Sequence, residues 1–318
     1  MKGILFTYTI SDHEKEQRAV LLEQMGYKAY YEKEATIEYQ SYMKDIEILV
    51  GYKPFARLNI DDLPALKWIQ ITSMGFEQVP EDKVADKGII VTNNRGGYSI
   101  PMGEWVVLNI LELTKNRKNA YQNQIDKKWH MDYSVREIYK KKIAFIGTGD
   151  IAQEAVKRLQ GFGVEIVGVN TNGRSVDGFD ECFSMDKLGY VLEQSDMVII
   201  SLPHTDKTEG IFNKKMLENM KKDACLINVS RGVIINEQDL IHHLEEGNLK
   251  GVALDVFEIE PLPPGNKLWD FDRVVITSHN SWISEEIEQR RWDMIIENLK
   301  RYQEGKELLN IVEMAKGY

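Results

Sequence analysis

Cysteine is scarce: among 318 residues only Cys182 and Cys225 occur, far apart and in no C-x-x-C pair. That excludes a disulfide framework and a cysteine-built zinc site, and no other metal centre is expected. Cys225 lies in the apolar run ACLINV, where it reads as buried filler. Positive charge is also in deficit, with 40 Lys and Arg against 50 Asp and Glu and a net charge of −10. A chain without a basic stripe is a poor match for nucleic acid. Long apolar runs are missing too, since none approaches the ~20 residues that span a bilayer. The opening MKGILFTYTISDHE is too short and too soon interrupted for a signal peptide, so the cytoplasm is the expected location. There is no internal repeat and no low-complexity segment. What remains is a globular composition, 43% hydrophobic and 28% charged. The length suits two domains, because single cores seldom grow beyond about 250–300 residues.

The most informative stretch is 142–170, KIAFIGTGDIAQEAVKRLQGFGVEIVGVN. An apolar run at 143–146 breaks at Gly147, Thr148, Gly149 and Asp150. It continues at helical spacing through Ile151, Ala155, Val156 and Leu159, and a second apolar run follows at 164–169. This predicts strand, glycine turn, helix, strand, with a pyrophosphate seated on the helix N-terminus. The third position of G-x-G-x-x-G is Ala152, a small residue that still lets helix pack on strand. At the tip of the second strand, where NAD sites carry an acid, stand Asn170 and Thr171, with Arg174 close behind. A neutral tip beside an arginine suits a 2′-phosphate, so the pattern leans toward NADP over NAD.

Elsewhere strands are expected at 3–8, 46–50, 68–71, 89–91, 197–202, 224–229, 251–257 and 274–277. Helices are expected at 12–25, 99–118, 214–220, 237–246 and 285–306. In the first helix Val20, Leu21 and Met25 form the apolar side; in the last, Ile287, Trp292, Ile295, Ile296 and Leu299 face inward. The alternation implies parallel sheets, and the near-continuous apolar strands after 142 imply a sheet covered on both faces, a doubly wound domain. Helix 99–118 has apolar residues on more than one side, which suggests a crossover between domains and burial by a second domain or subunit. The small-residue turn at Ser73, Met74 and Gly75 reads as an ordinary loop or as a row of amides able to bind a carboxylate.

Three polar residues stand just past successive strands: Arg231, Glu260 and His279. Ligands of open parallel sheets bind at the carboxyl ends of strands, so these residues are expected to converge. Arginine clamps a 2-oxo acid bidentately. Histidine exchanges a proton with the carbonyl or alcohol oxygen, and a neighbouring carboxylate supports its charged form.

The runs VSRG at 229–232, LDVFEIEPLP at 254–263 and SHNSW at 278–282 resemble the D-isomer-specific 2-hydroxyacid dehydrogenases over essentially the whole chain. The resemblance implies a Rossmann-type doubly wound domain (99–284) and a smaller flavodoxin-like α/β domain that is discontinuous (1–98 and 285–318). It makes Arg231 the substrate-binding arginine, Glu260 the acid paired with histidine, and His279 the general acid/base. Ser73, Met74 and Gly75 would present amides to the substrate carboxylate. Asp255 would contact the nicotinamide carboxamide, with further cofactor contacts at Pro203, His204, Thr208, Val229, Ser230 and His279. The resemblance also implies a homodimer packed through helix 99–118. The chain departs from the family's usual pattern at Asp150, commonly arginine, at Ser278, usually proline, at Gly103–Trp105, commonly AEH, and at Asn170. These departures bear on cofactor affinity and preference.

The reading that follows is a two-domain NAD(P)-dependent oxidoreductase acting on a small 2-oxo acid or D-2-hydroxy acid, with a pocket rim near Tyr52, residues 73–76 and Trp282. The alternative is an NAD(H)-sensing scaffold of co-repressor type. Within enzymes, a dehydrogenase of formate or phosphite is the nearest competitor.

Overall fold

Short apolar runs alternating with amphipathic segments produce two parallel sheets, each in its own unit. In a computed structural model, which describes residues 1–313, the chain divides into Met1–Gly97 with Glu285–Tyr318 and, separately, Tyr98–Ser284. Residues 314–318 of the expected 285–318 segment lie outside the described residues.

The first unit begins with β1 (Lys2–Phe6), α1 (Asp12–Gln24), β2 (Tyr27–Tyr31), β3 (Ile46–Gly51), β4 (Trp68–Ile71), α2 (Glu81–Lys87) and β5 (Ile90–Thr92). The five strands are all parallel, in the order β2-β1-β3-β4-β5. Helix α1 starts at a capping box in which the Ser11 hydroxyl accepts from the Glu14 amide and the Glu14 carboxylate accepts from the Ser11 amide. Its expected apolar side needs correction. Val20 is 58% and Leu21 37% exposed, whereas Arg18 and Leu22 are buried. The cause lies far along the chain: the Arg18 guanidinium lies 4.6 Å over the Trp292 ring and pairs with Glu14 at 2.8 Å, so a charged side chain covers the apolar surface.

The second unit contains α3 (Ser99–Thr114), α4 (Arg117–Ile125), β6 (Lys142–Ile146), α5 (Asp150–Leu159), β7 (Glu165–Asn170), β8 (Glu181–Ser184) and α6 (Leu188–Gln194). It continues with β9 (Met197–Ile200), α7 (Lys214–Glu218), β10 (Cys225–Asn228), α8 (Glu237–Glu245), β11 (Gly251–Leu254) and β12 (Val274–Ile276). Its seven parallel strands run β12-β11-β10-β9-β6-β7-β8, so the winding reverses between β6 and β9. Such a switch point opens a crevice at the carboxyl ends of the strands. Strands β9, β10 and β11 are buried at every residue, which is why their sequences read as unbroken apolar runs.

The helix expected at 99–118 is two. Thr114 turns its hydroxyl back onto the Ile110 carbonyl at 2.7 Å, Asn116 adopts a left-handed φ of 47°, and α4 starts afresh at Arg117. Helix α3 packs on α5, β10 and β11 and leaves Leu108 55% exposed. The strands expected to run to 202 and 257 leave the ladder at Ile200 and Leu254. Their last residues turn instead into loops at the carboxyl edge. The chain then returns to the first unit with α9 (Ile287–Gln303), whose Trp292, Ile295 and Leu299 join Ile4, Phe6, Ile48 and Trp68 in one core.

Candidate active site

At the β6–α5 turn, Gly147 has a φ of 102° and sits so close to Ser201 that a Cβ would come within 2.5 Å of its carbonyl oxygen. Only glycine permits that approach. The turn delivers Gly149 as the N-cap of α5 and Asp150 as its first residue, so the helix N-terminus carries an anion of its own. Thr148 is buried, and Ala152 is fully buried where the third glycine of the fingerprint would stand.

At the tip of β7, Asn170 is buried, and its side chain closes the loop behind it. Its Nδ2 donates to the Arg174 carbonyl at 2.8 Å, and its Oδ1 accepts from the Arg174 amide at 3.1 Å. Thr171 and Arg174 are exposed at that tip. In the loop after β9, Thr208 donates to the Pro203 carbonyl at 2.7 Å, and His204 pairs with Glu209 at 3.0 Å.

The register of the sheet aligns Asn228 of β10 with Leu254 of β11, and Leu254 with Ile276 of β12. Neighbouring strands lie about 4.8 Å apart, so the residues that follow these three ends are brought to one edge. Arg231, half-buried, follows β10, and its Nη1 donates to the Ser230 carbonyl at 2.8 Å. Glu260 follows β11. One of its oxygens accepts from the Phe257 amide at 3.0 Å, and the other lies 2.8 Å from His279 Nδ1. A carboxylate only accepts, so the tautomer of His279 that suits this pair is the one with its N–H on Nδ1. Both side chains are partly exposed, 43% for His279 and 35% for Glu260, so the pair is open to a ligand.

His279 itself has a left-handed φ of 51°. For a non-glycine residue that costs on the order of 1–3 kcal/mol, sustained only where neighbours over-determine it. Here its amide donates to the Asp255 carbonyl at 2.8 Å and its carbonyl accepts from Trp282 Nε1 at 2.8 Å. The Trp282 ring meets Tyr98 edge-on, with centroids 5.7 Å apart.

Three residues expected to touch cofactor are buried among the strand-end loops. Asp255 is 0% exposed, and its oxygens accept from the Thr277 hydroxyl and from the amides of Asn280 and Ser281, each amide at 3.0 Å. Val229 is 1% exposed, and the Ser230 hydroxyl donates to Asn228 Oδ1 at 2.7 Å. Buried at the roots of the strand-end loops, these groups tie the edge together.

In the first unit, the loop at Ser73, Met74 and Gly75 follows β4. The chain engages its carbonyls: Met74 accepts from Asn93 Nδ2 at 2.8 Å, Ser73 from the Asn94 amide at 2.9 Å, and Gly75 from the Ser73 hydroxyl at 2.7 Å. Tyr52, half exposed, follows β3. Its amide and that of Lys53 donate to the Glu34 carboxylate at 2.6 and 3.0 Å.

A family model described as D-isomer specific 2-hydroxyacid dehydrogenase, NAD binding domain, matches residues 107–281, more than half of the chain. The chain belongs to the D-isomer specific 2-hydroxyacid dehydrogenase family. It is 35% identical over 246 residues to a glyoxylate reductase of Thermofilum pendens, covering 76% of this chain and 73% of that protein. Among solved structures, a D-isomer specific 2-hydroxyacid dehydrogenase from Xanthobacter autotrophicus Py2, in complex with NADPH and MES, superposes with a TM-score of 0.83 at 26% identity, covering 100% of this chain and 99% of that one. An NADPH-dependent glyoxylate/hydroxypyruvate reductase from Sinorhizobium meliloti, in complex with citrate, gives a TM-score of 0.82 at 25% identity and covers 98% of each chain.

For a member of this family the glycine turn, the exposed tip of β7 and the N-terminus of α5 are groups that fit a dinucleotide. Sequence reasoning missed Thr277, Asn228 and Glu34, which hold loops rather than project from them. A polar residue at the end of an apolar strand was the available signal for Thr277 and Asn228.

Proposed function

We propose that this chain reduces a small 2-oxo acid to the D-2-hydroxy acid, or runs the reverse oxidation, with NADPH preferred over NADH, as a cytoplasmic homodimer. The observation that carries this reading is the His279–Glu260 pair at 2.8 Å, one strand removed from the β10 end that carries Arg231. When bound, the reduced nicotinamide supplies a hydride to the 2-carbon of the oxo acid. Arg231 holds the carboxylate and carbonyl of the substrate, orienting the carbon and drawing charge toward its oxygen. His279 delivers a proton from Nε2 to that oxygen, and Glu260 keeps the ring oriented through Nδ1. The preference for NADPH rests on Asn170, whose neutral side chain is engaged in its own loop, and on exposed Arg174 beside it. Dimerisation rests on Leu108, exposed on α3.

The test is a panel of 2-oxo acids, glyoxylate and hydroxypyruvate among them, assayed with NADH and NADPH by loss of absorbance. Turnover of at least one acid, faster with NADPH at low concentration, supports the reading. Silence across the panel, with dinucleotide binding retained, rejects it in favour of a sensing protein. Sedimentation of the purified chain at micromolar concentration checks the dimer.

A further inference from the structure

We propose that Glu34 is a specificity-determining residue: its carboxylate fills an anion seat at the end of β3, beside the Ser73–Gly75 loop, and turns away 2-oxo acids that carry a second carboxylate. The inference rests on the proposed reduction of a 2-oxo acid and on the expected seat of its carboxylate at that loop. It narrows the substrate to acids with a single carboxylate.

In the first unit the ends of β2, β1, β3 and β4 lie side by side, with Tyr31 aligned to Phe6, Phe6 to Val50 and Gly51 to Ile71. Glu34 follows β2, and its side chain reaches across the end of β1 to that of β3. Its Oε1 accepts from the Thr7 hydroxyl at 2.7 Å and from the Tyr52 amide at 2.6 Å, and its Oε2 accepts from the Lys53 amide at 3.0 Å. Two successive amides and a hydroxyl that converge on one carboxylate form the kind of concavity that binds anions. The Glu34 amide donates in turn to the Thr7 carbonyl at 3.2 Å, which ties the loop after β2 to the end of β1. Gly51 leaves room for the carboxylate: a Cβ there would lie 2.7 Å from Glu34 Oε1 and closer still to Thr7 Oγ1.

This seat is one strand away from the loop at Ser73, Met74 and Gly75. The Thr72 amide donates to the Gly51 carbonyl at 2.9 Å, so the two loops leave the sheet together. Neighbouring strands stand about 4.8 Å apart, close to the separation of the two carboxylates in a four-carbon 2-oxo diacid. Such an acid, held by one carboxylate at the loop after β4, would bring the other to donors that are already consumed and to a negative charge. Consumed donors return nothing for the second carboxylate's lost hydration. Like charges one or two strand spacings apart near a protein surface lower binding by about tenfold or more. An acid with one carboxylate meets neither penalty.

The test uses the full chain with NADPH. Wild type, Glu34→Gln and Glu34→Ala are compared by kcat and KM for glyoxylate and hydroxypyruvate against oxaloacetate and 2-oxoglutarate, with thermal melting as a check on folding. Wild type is expected to favour the monoacids in kcat/KM by at least about tenfold. Glu34→Gln, which keeps the shape and removes the charge, narrows that ratio by about tenfold. Glu34→Ala also frees the three donors and narrows it further, in both variants through a lower KM for the diacids. Raising the ionic strength narrows the ratio in wild type but not in Glu34→Gln, a response that a purely structural role would not give. A wild-type ratio near one, or a ratio in Glu34→Gln within about twofold of wild type, overturns the proposal. Should Glu34→Ala not fold, Glu34→Gln and the salt series decide alone. Turnover of none of the four acids would remove the 2-oxo acid reading and this inference with it, a result distinct from monoacid turnover with an unchanged ratio, which removes the inference alone.

Discussion

Glu260 and His279 are joined at 2.8 Å, and the carboxylate that orients the ring is itself held by the Phe257 amide at 3.0 Å. Each atom of the pair thus has an assigned partner: Glu260 Oε1 the main chain, Oε2 the imidazole Nδ1. Nε2 takes no part in the pair.

That arrangement ranks two substitutions. His279→Ala removes the proposed proton carrier and is expected to lower kcat by about a hundredfold or more, leaving NADPH Kd near wild type. Glu260→Gln keeps an acceptor for only one of the two N–H groups that Glu260 now serves. Its loss is expected to be smaller, about tenfold. Steady-state kinetics on both variants check the order, and a glutamine variant slower than the alanine variant would reject the proposed division.

The proposed preference for NADPH rests on the tip of β7. Arg174 is exposed, while Asn170 closes the loop around the Arg174 main chain. A guanidinium bonded to a 2′-phosphate contributes about 1.5–3 kcal/mol, as charged hydrogen bonds do. Arg174→Ala should therefore raise the KM for NADPH by about tenfold or more and leave that for NADH within about twofold. Equal losses for both cofactors would show that the arginine does not read the phosphate.

Much of this edge was legible in the sequence because it depends on local rules. A strand followed by G-T-G-D and a small residue reads as a dinucleotide turn, and a lone Arg, Glu or His just past an apolar run reads as a strand-end residue. The resemblance reached further and named their roles. What escaped is what depends on neighbours distant in the chain. The burial of Arg18 in place of Val20 and Leu21 requires Trp292 of α9. Strand β2, YKAYY, buries only Tyr27 fully and lies at the sheet edge, so neither alternation nor an apolar run marks it. The hold of Asp255 on Thr277, Asn280 and Ser281 exists only because β11 and β12 are adjacent.

Gly103, where the family commonly has alanine, has a steric cause on α5. A Cβ there would lie 2.9 Å from the Ala155 amide nitrogen and 2.9 Å from Glu154 Cβ. Two effects oppose each other in Gly103→Ala. Helix propensity favours alanine by about 0.5–1 kcal/mol, whereas overpacking against a backbone atom costs about 1–3 kcal/mol. The steric cost is the larger, so the variant is expected to melt lower, by about 2–4 °C for each kcal/mol of net loss. Calorimetry decides it, and a rise in Tm would mean that α3 and α5 can part without cost.

Acid sensitivity has a named contributor in His243. It is 6% exposed on α8, and its Nε2 has no hydrogen-bond partner among the described residues. Burial holds its pKa below the ordinary value, an effect that nearby Glu246 and Glu218 oppose and His242 reinforces. The unfolded chain therefore binds a proton that the folded chain refuses, and stability rises with pH across that interval. Its contribution is complete above the unfolded value of about 6.5 and is lost progressively as pH falls from there toward the lower folded value. His243→Leu removes the titration, so the drop in Tm between about pH 7.5 and pH 5.5 should be smaller in the variant than in wild type. Thermal melts of both proteins at the two pH values make the comparison; parallel drops would assign the acid sensitivity to other groups.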